Sequence, residues 1–189
     1  MNEDSCQLPV AAARKGRQSR GVWYVLRDLA GTILPAIVIA LLIHLFLVQA
    51  TRVFGQSMEP NIHENQRLVV EKLSYRFHGP QRGDVVVLHD PTDPDELLIK
   101  RIVGLPGERI TVANGRVYVD GAPLPEPYLD QATDGSTCSW VVPPLNVFVM
   151  GDNRGASRDS RSFGPVPMDM LLGQAVFRYW PPDQIGFVR

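Results

Sequence analysis

The chain has 189 residues, of which 19 are Lys or Arg and 20 are Asp or Glu, and its formal net charge is −1. This length fits one domain, or a small domain with an appendage, and the near-neutral charge excludes a basic surface for nucleic acid. Two cysteines exclude a disulfide scaffold and a cysteine-rich metal site. The 16 Gly and 16 Pro favour many turns and short strands over a helical bundle.

The first predicted element is a membrane-spanning helix over residues 29–51. No Asp, Glu, Lys or Arg lies between Asp28 and Arg52, and residues 33–48 are almost continuously apolar. A transmembrane helix needs about 20 such residues to cross a hydrocarbon core of about 30 Å. The segment therefore has the length and the composition of a membrane anchor.

Two alternatives compete with this anchor. A buried soluble helix would show a polar face at helical spacing, and this segment has none. A cleavable signal peptide is a closer alternative, because Val48-Gln49-Ala50 resembles a cleavage sequence. The apolar region of this segment is longer than the apolar region of a usual signal peptide, about 7–15 residues, and this favours an uncleaved anchor.

The charges beside the anchor predict its orientation. Positively charged flanks stay in the cytoplasm, so we expect residues 1–28 to form a cytoplasmic tail and residues 52–189 to lie outside. The basic residues before the segment are Arg14, Lys15, Arg17, Arg20 and Arg27. The chain is therefore predicted to be a single-pass protein of the plasma (inner) membrane.

The outer part is predicted to be mainly β, an extracytoplasmic antiparallel sheet behind one N-terminal helix. Asn114-Gly115 between two short apolar runs is a strong hairpin signal. Residues 168–172 are the one helical candidate, and residues 122–144, rich in Pro and Asp, are predicted to be an excursion from the sheet. The predicted strands cover residues 68–70, 84–88, 97–103, 109–112, 116–119, 146–150 and 174–180.

The residues with catalytic potential carry no metal or cofactor signature. The four histidines fall at no metal-ligand spacing, and neither HExxH, a phosphate loop nor a GxSxG motif is present. Cys138 is a lone thiol without a surrounding motif. A Ser-His-Asp triad stays open, and the other hydrolytic device is a serine activated by a neutral lysine.

Lys100 is the informative candidate for such a base. Strand alternation places it on one face with Leu98 and Ile102, and places Arg101 on the other face. One of these two cations must therefore share an apolar face. Lys100 either extends its ammonium to solvent or is held neutral by burial, which would take about three pKa units, or about 4 kcal/mol.

Two polar segments complete the candidate chemistry. Ser57 lies only five residues beyond Arg52. Taken alone, a serine near a glycine and a proline is typical of a turn. Residues 151–161 form a dense polar loop directly after the apolar run Asn146–Met150. Such a loop is either a solvated surface loop or a functional loop held by a rigid scaffold.

Together these segments resemble the bacterial type I signal peptidases, membrane-anchored serine proteases that remove signal peptides. The resemblance covers nearly everything from Val53 to Pro181. Five conserved boxes of that family find counterparts in the same order behind an N-terminal anchor. The matching segments are VFGQSMEP with the strand RLVVEKLSY, then RGDVVVLHDP, LLIKRIVGLPGE, VMGDNRGASRDSRSFGPVP and LLGQAVFRYWP.

The resemblance implies roles for individual residues. Ser57 is the implied nucleophile, Lys100 the implied general base, and Ser157 the serine that orients this lysine. Further implied supports are the ion pair of Asp159 and Arg161 and the bracing of the loop by Asp152 and Arg154. The residues implied to line shallow apolar pockets, which admit small side chains one and three residues before the cut, are Val53, Met58, Ile62, Leu98 and Ile99.

The implied reaction is acyl transfer on an exported preprotein at the lipid bilayer, without metal or cofactor. Gly55 departs from the two-span form of the family, where a serine at this position helps to bind the oxyanion. It matches the single-span form, so the second oxyanion donor is not identified. Alternatives are a maturation peptidase of a conjugative transfer system and an inactive anchored scaffold. A self-cleaving repressor would lack the anchor and would carry a DNA-binding region.

Overall fold

A computed structural model describes residues 18–46, 48–133 and 137–188. The described chain divides into two compact units, one up to Leu42 and one from Ile43 onward. Most of the predicted cytoplasmic tail, residues 1–17, lies outside the described residues. Helix α1, Gln18–Phe46, contains Pro35 and lies in the first unit up to Leu42.

Helix α1 covers part of the predicted membrane segment and ends before it does. Within the described residues, the structure contains no helix with the length and apolarity required to cross a membrane. Residues 48–51, which the sequence assigned to that segment, belong instead to strand β1, Val48–Arg52. Polar Gln49 and Thr51 alternate along this strand, which pairs antiparallel with residues 67–71.

The second unit is mainly β, as predicted. The remaining strands are β2 Arg67–Glu71, β3 Val85–His89, β4 Leu97–Gly104, β5 Arg109–Ala113, β6 Arg116–Val119, β7 Ala122–Pro123, β8 Cys138–Val141, β9 Asn146–Met150, β10 Val166–Pro167, β11 Leu171–Trp180 and β12 Gly186–Phe187. Two short helices, α2 Ser74–Phe77 and α3 Ser160–Phe163, complete it with two 3-10 turns, Met168–Met170 and Pro182–Gln184.

Two antiparallel sheets organise these strands. The larger sheet has the order β1-β2-β11-β3-β4-β9-β10, and β12 pairs with β11. The smaller sheet has the order β7-β6-β5-β8. Its central hairpin has Asn114 and Gly115 at φ 52° and 74°, the left-handed pair that the Asn-Gly signal predicted.

The structure adds detail to one local prediction and contradicts another. The predicted excursion 122–144 contains β7 and β8 near its ends, and these strands extend the smaller sheet on both sides of the hairpin. Residues 168–172 are not a helix: a single 3-10 turn ends at Met170, and β11 begins at Leu171. Gly173 lets β11 lie so close to β2 that a Cβ there would collide with the Glu71 carbonyl.

The centre of the larger sheet is buried on both faces. The last seven residues of β4 are at most half-exposed, and the last six are buried. Val53, Met58 and Ile99 belong to one apolar cluster of the core, while Val86, Leu88 and Ile102 belong to another. β4 therefore carries its side chains into two apolar environments, which is the setting of the candidate site.

Candidate active site

Both cations of β4 are buried. Lys100 and Arg101 each retain 2% of their accessible surface, and they point to opposite faces of the sheet. Leu98 and Ile102, on the Lys100 face, pack in the cluster with Val86. The sequence required one cation to share an apolar face, and the structure buries both.

The ammonium of Lys100 is destabilised by this environment. Burial lowers its pKa from 10.5 to about 8, against the opposing charges of Asp159 and Glu96, while the charge of Arg161 lowers it further. Within the described residues, no carboxylate lies at ion-pair distance from this amine. About a tenth of such an amine is neutral at pH 7, whereas an ordinary lysine is almost wholly protonated there.

Ser57 lies against the strand that carries Lys100. Its hydroxyl donates to the carbonyl of Ile99, the residue before Lys100, with an Oγ–O distance of 3.4 Å. Its own carbonyl accepts from the backbone N–H of Asn153 at 3.0 Å. The serine is therefore held between β4 and the polar loop that follows β9.

Gly151 makes the close approach of these segments possible. A Cβ at this position would collide with the Ser157 hydroxyl and with the Ser57 carbonyl oxygen. Its backbone N–H donates to Asp159 Oδ2 at 3.0 Å. Gly151 is the first residue of the motif Gly151-Asp152-Asn153-Arg154 (GDNR), which opens the loop of residues 151–161, the GDNR loop. It thus lies between the two serines that the sequence singled out.

Ser157, Asp159 and Arg161 form one hydrogen-bonded group. The Ser157 hydroxyl donates to Asp159 Oδ2 at 2.8 Å, and Arg161 Nε and Nη2 donate to the two carboxylate oxygens at 2.8 and 2.9 Å. Burial pushes the pKa of Asp159 upward. The Arg161 charge, the Gly151 N–H and the Ser157 hydroxyl outweigh it, and the net pKa of Asp159 is lowered.

The predicted braces of the loop have partners that the sequence did not reveal. Asp152 forms a buried bidentate pair with Arg101, with Nε–Oδ1 and Nη2–Oδ2 distances of 2.8 and 2.7 Å. Asn61 donates to the same carboxylate at 2.9 Å and to the Tyr128 carbonyl at 2.8 Å. This network joins the chain after Ser57, the GDNR loop and β4.

Arg154 braces the loop from another side. Its guanidinium forms an ion pair with Glu126 and a short hydrogen bond with the Thr133 hydroxyl. Its Nε donates to the Gly151 carbonyl at 3.0 Å. Because Glu126 and Thr133 lie in the supposed excursion, that segment supports the candidate site.

A shallow pocket lies between residues 51–54 and the beginning of β4. Its volume is about 90 Å³, and Val53, Leu98 and Ile99 are among its lining residues. Met58 and Ile62 do not line it. They are almost fully buried in the cluster that also contains Val53 and Ile99. Three of the five predicted pocket residues therefore meet at one surface, and two lie in the core behind it.

No metal site accompanies this geometry in the part of the chain that the structure describes. There, no group of three or more His, Cys, Asp or Glu side chains is arranged to hold a metal ion. Cys138 is exposed at the beginning of β8.

Comparison with known proteins extends the resemblance to most of the chain. The family model described as signal peptidase, peptidase S26, matches residues 26–180. A probable signal peptidase I-1 of Synechocystis sp. is 39% identical over 171 residues, 87% of each chain. A signal peptidase I of Leptolyngbya laminosa is 41% identical over 163 residues, 82% of this chain and 80% of the relative.

A solved structure is similar over a shorter stretch. The crystal structure of a signal peptidase I from Enterococcus faecalis V583 is 30% identical to this chain. The match covers 50% of this chain and 95% of the other, with a TM-score of 0.46.

Proposed function

This chain belongs to the signal peptidase family, peptidase S26, and from that premise we propose that Ser57 and Lys100 are the residues with which it removes signal peptides from preproteins. The activity is that of a serine endopeptidase. The observation that carries the residue assignment is the burial of Lys100 beside the Ile99 carbonyl that accepts from the Ser57 hydroxyl. Arginine could not replace this base, because its guanidinium stays protonated.

The chemical step is acyl transfer through a serine nucleophile. Neutral Lys100 takes the hydroxyl proton as Ser57 Oγ attacks the scissile carbonyl, and it then gives a proton to the leaving amine. A water molecule, deprotonated by the same amine, hydrolyses the ester and releases the signal peptide. The backbone N–H of Ser57 is one oxyanion donor, and Gly55 offers no side-chain donor beside it.

The supporting residues hold this pair in position. Ser157, Asp159 and Arg161 form one hydrogen-bonded group. The negative charge of Asp159 favours the ammonium form of Lys100 and so raises its pKa. The Asp152–Arg101 pair fixes the neighbouring position on β4. Because rigid surroundings preserve the attack geometry, loss of either pair should reduce activity without removing a reacting atom.

The substrate is proposed to bind as an extended strand. Residues 53–54 and the beginning of β4 flank the shallow pocket. Residues 97–99 pair with β3 on one side, and the pairing of β4 with β9 begins only at Arg101, so this edge of β4 can accept an extended peptide while the pocket takes a side chain. The proposed cleavage follows small residues at the −3 and −1 positions, with Val53, Leu98 and Ile99 in contact with the substrate in this shallow pocket and Met58 and Ile62 supporting them.

The site is further proposed to act at the membrane surface, with α1 from residue 29 to Phe46 as a single anchor and the catalytic domain outside. Ser57 follows Phe46 by eleven residues, a reach of less than about 40 Å even when fully extended. Phe54 and Trp180 expose 72% and 49% of their surface. Their guanidinium neighbours, Arg52 and Arg67, contact the two rings, a combination suited to the interface of a bilayer.

The deciding experiment is cleavage of a purified preprotein by the full chain in detergent. The wild-type protein should release a mature product with the N-terminus expected for cleavage after a small residue. Ser57→Ala should be inactive and should unfold at the wild-type temperature. Retained cleavage by Ser57→Ala, purified free of host peptidase, would reject the assignment, and no cleavage by the wild-type protein would favour an inactive scaffold.

A further inference from the structure

Asp90 is a fully buried carboxylate outside the proposed Ser57–Lys100 pair. Its residue has 0% exposure and lies directly after β3. Its Oδ1 accepts from the backbone N–H and the hydroxyl of Thr92, both at 2.8 Å. Its backbone N–H donates to the Glu96 carbonyl at 3.0 Å. These bonds close the turn of residues 90–96, which leads directly into β4.

The counter-charge for Asp90 comes from the GDNR loop. Arg158 Nη2 forms an ion pair with Asp90 Oδ2 and lies 3.6 Å from Glu96 Oε2. Arg158 Nη1 donates to the Thr92 hydroxyl at 2.7 Å. A carboxylate as buried as Asp90 requires such a partner, because an uncompensated charge in the interior is strongly destabilising.

The ion pair of Arg158 with Asp90 connects the turn before β4 to the segment that carries Ser157 and Asp159. Arg158 lies between Ser157, whose hydroxyl donates to Asp159, and Asp159 itself. The turn that it contacts carries Glu96, and both Glu96 and Asp159 act on Lys100. Arg158 therefore links the two segments that place negative charge near the proposed base.

Resting on the proposed function, we propose that Arg158 and Asp90 are positioning residues for the base Lys100: their ion pair holds the turn before β4 against the segment of Ser157 and Asp159. Neither residue reaches the reacting atoms in this assignment. Their effect is to fix the distances from Lys100 to Asp159 and Glu96, and Arg158 also offsets the charge of Glu96. The other charged group acting on Lys100 is Arg161.

The titratable neighbours of the turn do not replace this pair. His89 Nδ1 lies 2.8 Å from the Pro94 carbonyl, on the turn itself. The carboxylates that act on Lys100 are those of Asp159 and Glu96, and the exposed Asp93 and Asp95 are not among them. Within the described residues, the ion pair to Asp90 comes from Arg158.

The test is the pH profile of kcat/KM for the full-length protein on a preprotein in detergent. Arg158→Met removes a cation, which favours the ammonium form of Lys100, and should move the profile to higher pH by about half a pH unit, the size of a single charge acting through partly solvated protein. Asp90→Asn leaves Arg158 unpaired and should move the profile to lower pH. The double variant should return close to the wild-type midpoint.

Matched variants separate positioning from general loss of structure. Arg158→Lys keeps the positive charge and should keep the midpoint of the pH profile. Its kcat should be lower, because lysine cannot contact Asp90 and Thr92 through two nitrogens. Arg116→Gln, an exposed arginine of β6 in the smaller sheet, should change neither quantity. Thermal unfolding of each variant accompanies the kinetics, and Asp90→Asn and Arg158→Lys serve if Arg158→Met does not fold.

Wild-type midpoints in both single variants, or shifts of the same sign in both, would overturn the proposal. If Ser57→Ala is inactive while these midpoints do not move, the proposed function stands and this inference alone fails. If Ser57→Ala still cleaves, the proposed function fails first.

Discussion

Lys100 and Arg101 are consecutive cations that the fold treats in opposite ways. Arg101 has its charge compensated by the two oxygens of Asp152, whereas Lys100 is buried without an ion pair among the described residues. A guanidinium keeps its proton in either setting, and an ammonium does not. β4 thereby holds Arg101 as a structural charge and leaves Lys100 suited to the role of the proposed base.

Replacing the base should stabilise the protein while inactivating it. The pKa of Lys100 falls from 10.5 to about 8 on folding, which corresponds to roughly 3 kcal/mol of lost stability at neutral pH. Lys100→Met fills similar space without a charge, so we expect no cleavage and a free energy of unfolding raised by up to about 3 kcal/mol. Denaturant unfolding at pH 7 measures the second effect.

Lys72→Met is the matched control, because Lys72 is only partly buried. It should retain cleavage and change the free energy of unfolding by less than about 0.5 kcal/mol. A Lys100→Met protein less stable than the wild type would contradict the view that the buried amine is held at an energetic cost.

The pH dependence follows from the same shift. If Lys100 is the base, as proposed, it acts when neutral, so kcat/KM should rise as the pH passes through about 8. The folded pKa is lower than the unfolded one, so the unfolded chain binds more protons between these values, and stability should also rise over that window. Lys100→Met should lack the rise in stability. A kcat/KM profile still climbing steeply above pH 10 would refute the buried base.

Among the elements, the loop after β9 should be the least tolerant of added volume. In Gly151→Ala the new methyl group would meet the Ser157 hydroxyl and the Ser57 carbonyl, and the backbone cannot yield as a flexible side chain can. We expect kcat/KM to fall at least about 100-fold, because small displacements of a nucleophile are costly. Cleavage and thermal unfolding should be measured together.

Gly79→Ala is the control for this change. No atom lies within 4 Å of the position of its Cβ, so activity should stay at the wild-type level. Near-normal cleavage by Gly151→Ala would show that the two serines do not depend on the close approach at residue 151.

The elements that the sequence predicted correctly are those with a local signal. Apolar β-branched runs predicted β2, β3, β4 and β9, and Asn114-Gly115 predicted the hairpin, because both patterns act over a few residues. β1 was missed because its residues continue an apolar segment. β7 and β8 were missed because short strands in a Pro-rich region depend on the register of their neighbours.

The same division applies to the candidate site. Ser57, Lys100, Ser157 and the GDNR loop were predicted through motifs. The partners of these residues were not, because Asp152 with Arg101 and Arg154 with Glu126 are distant in sequence and are paired only by the fold. A sequence can indicate that a buried charge requires a partner, but the folded structure determines which residue that partner is.

At the scale of the whole molecule, β1 connects the catalytic domain to the chain before it. It pairs with β2 through five register positions and forms the edge of the larger sheet. A truncated chain beginning at Val53 would expose the edge of β2, whereas one beginning at Val48 keeps it covered. We expect the shorter chain to unfold at least about 4 °C lower, since about 1–2 kcal/mol shifts a domain of this size by that amount.

Thermal unfolding and light scattering of the two truncated chains check this expectation. The shorter chain should also aggregate more readily, and both should require detergent because Phe54 and Trp180 remain exposed. Equal melting temperatures would show that β1 is dispensable for the domain. Monodisperse behaviour of both without detergent, with full activity on preproteins, would contradict the membrane-surface proposal.

The pairing of β2 with β11 makes assembly of the larger sheet depend on residues near the end of the chain. Glu71 is in register with Gln174, so β11 joins the strand next to the Ser57 segment to β3 and thus to the strand of Lys100. Contacts between residues so distant in sequence form late and slowly. A nascent chain that still lacks β11 has β3 and β4 but no strand to link β2 to them. We therefore expect a cut that releases β11 to separate the two halves of the larger sheet and to abolish cleavage, although Ser57 and Lys100 both remain in the chain.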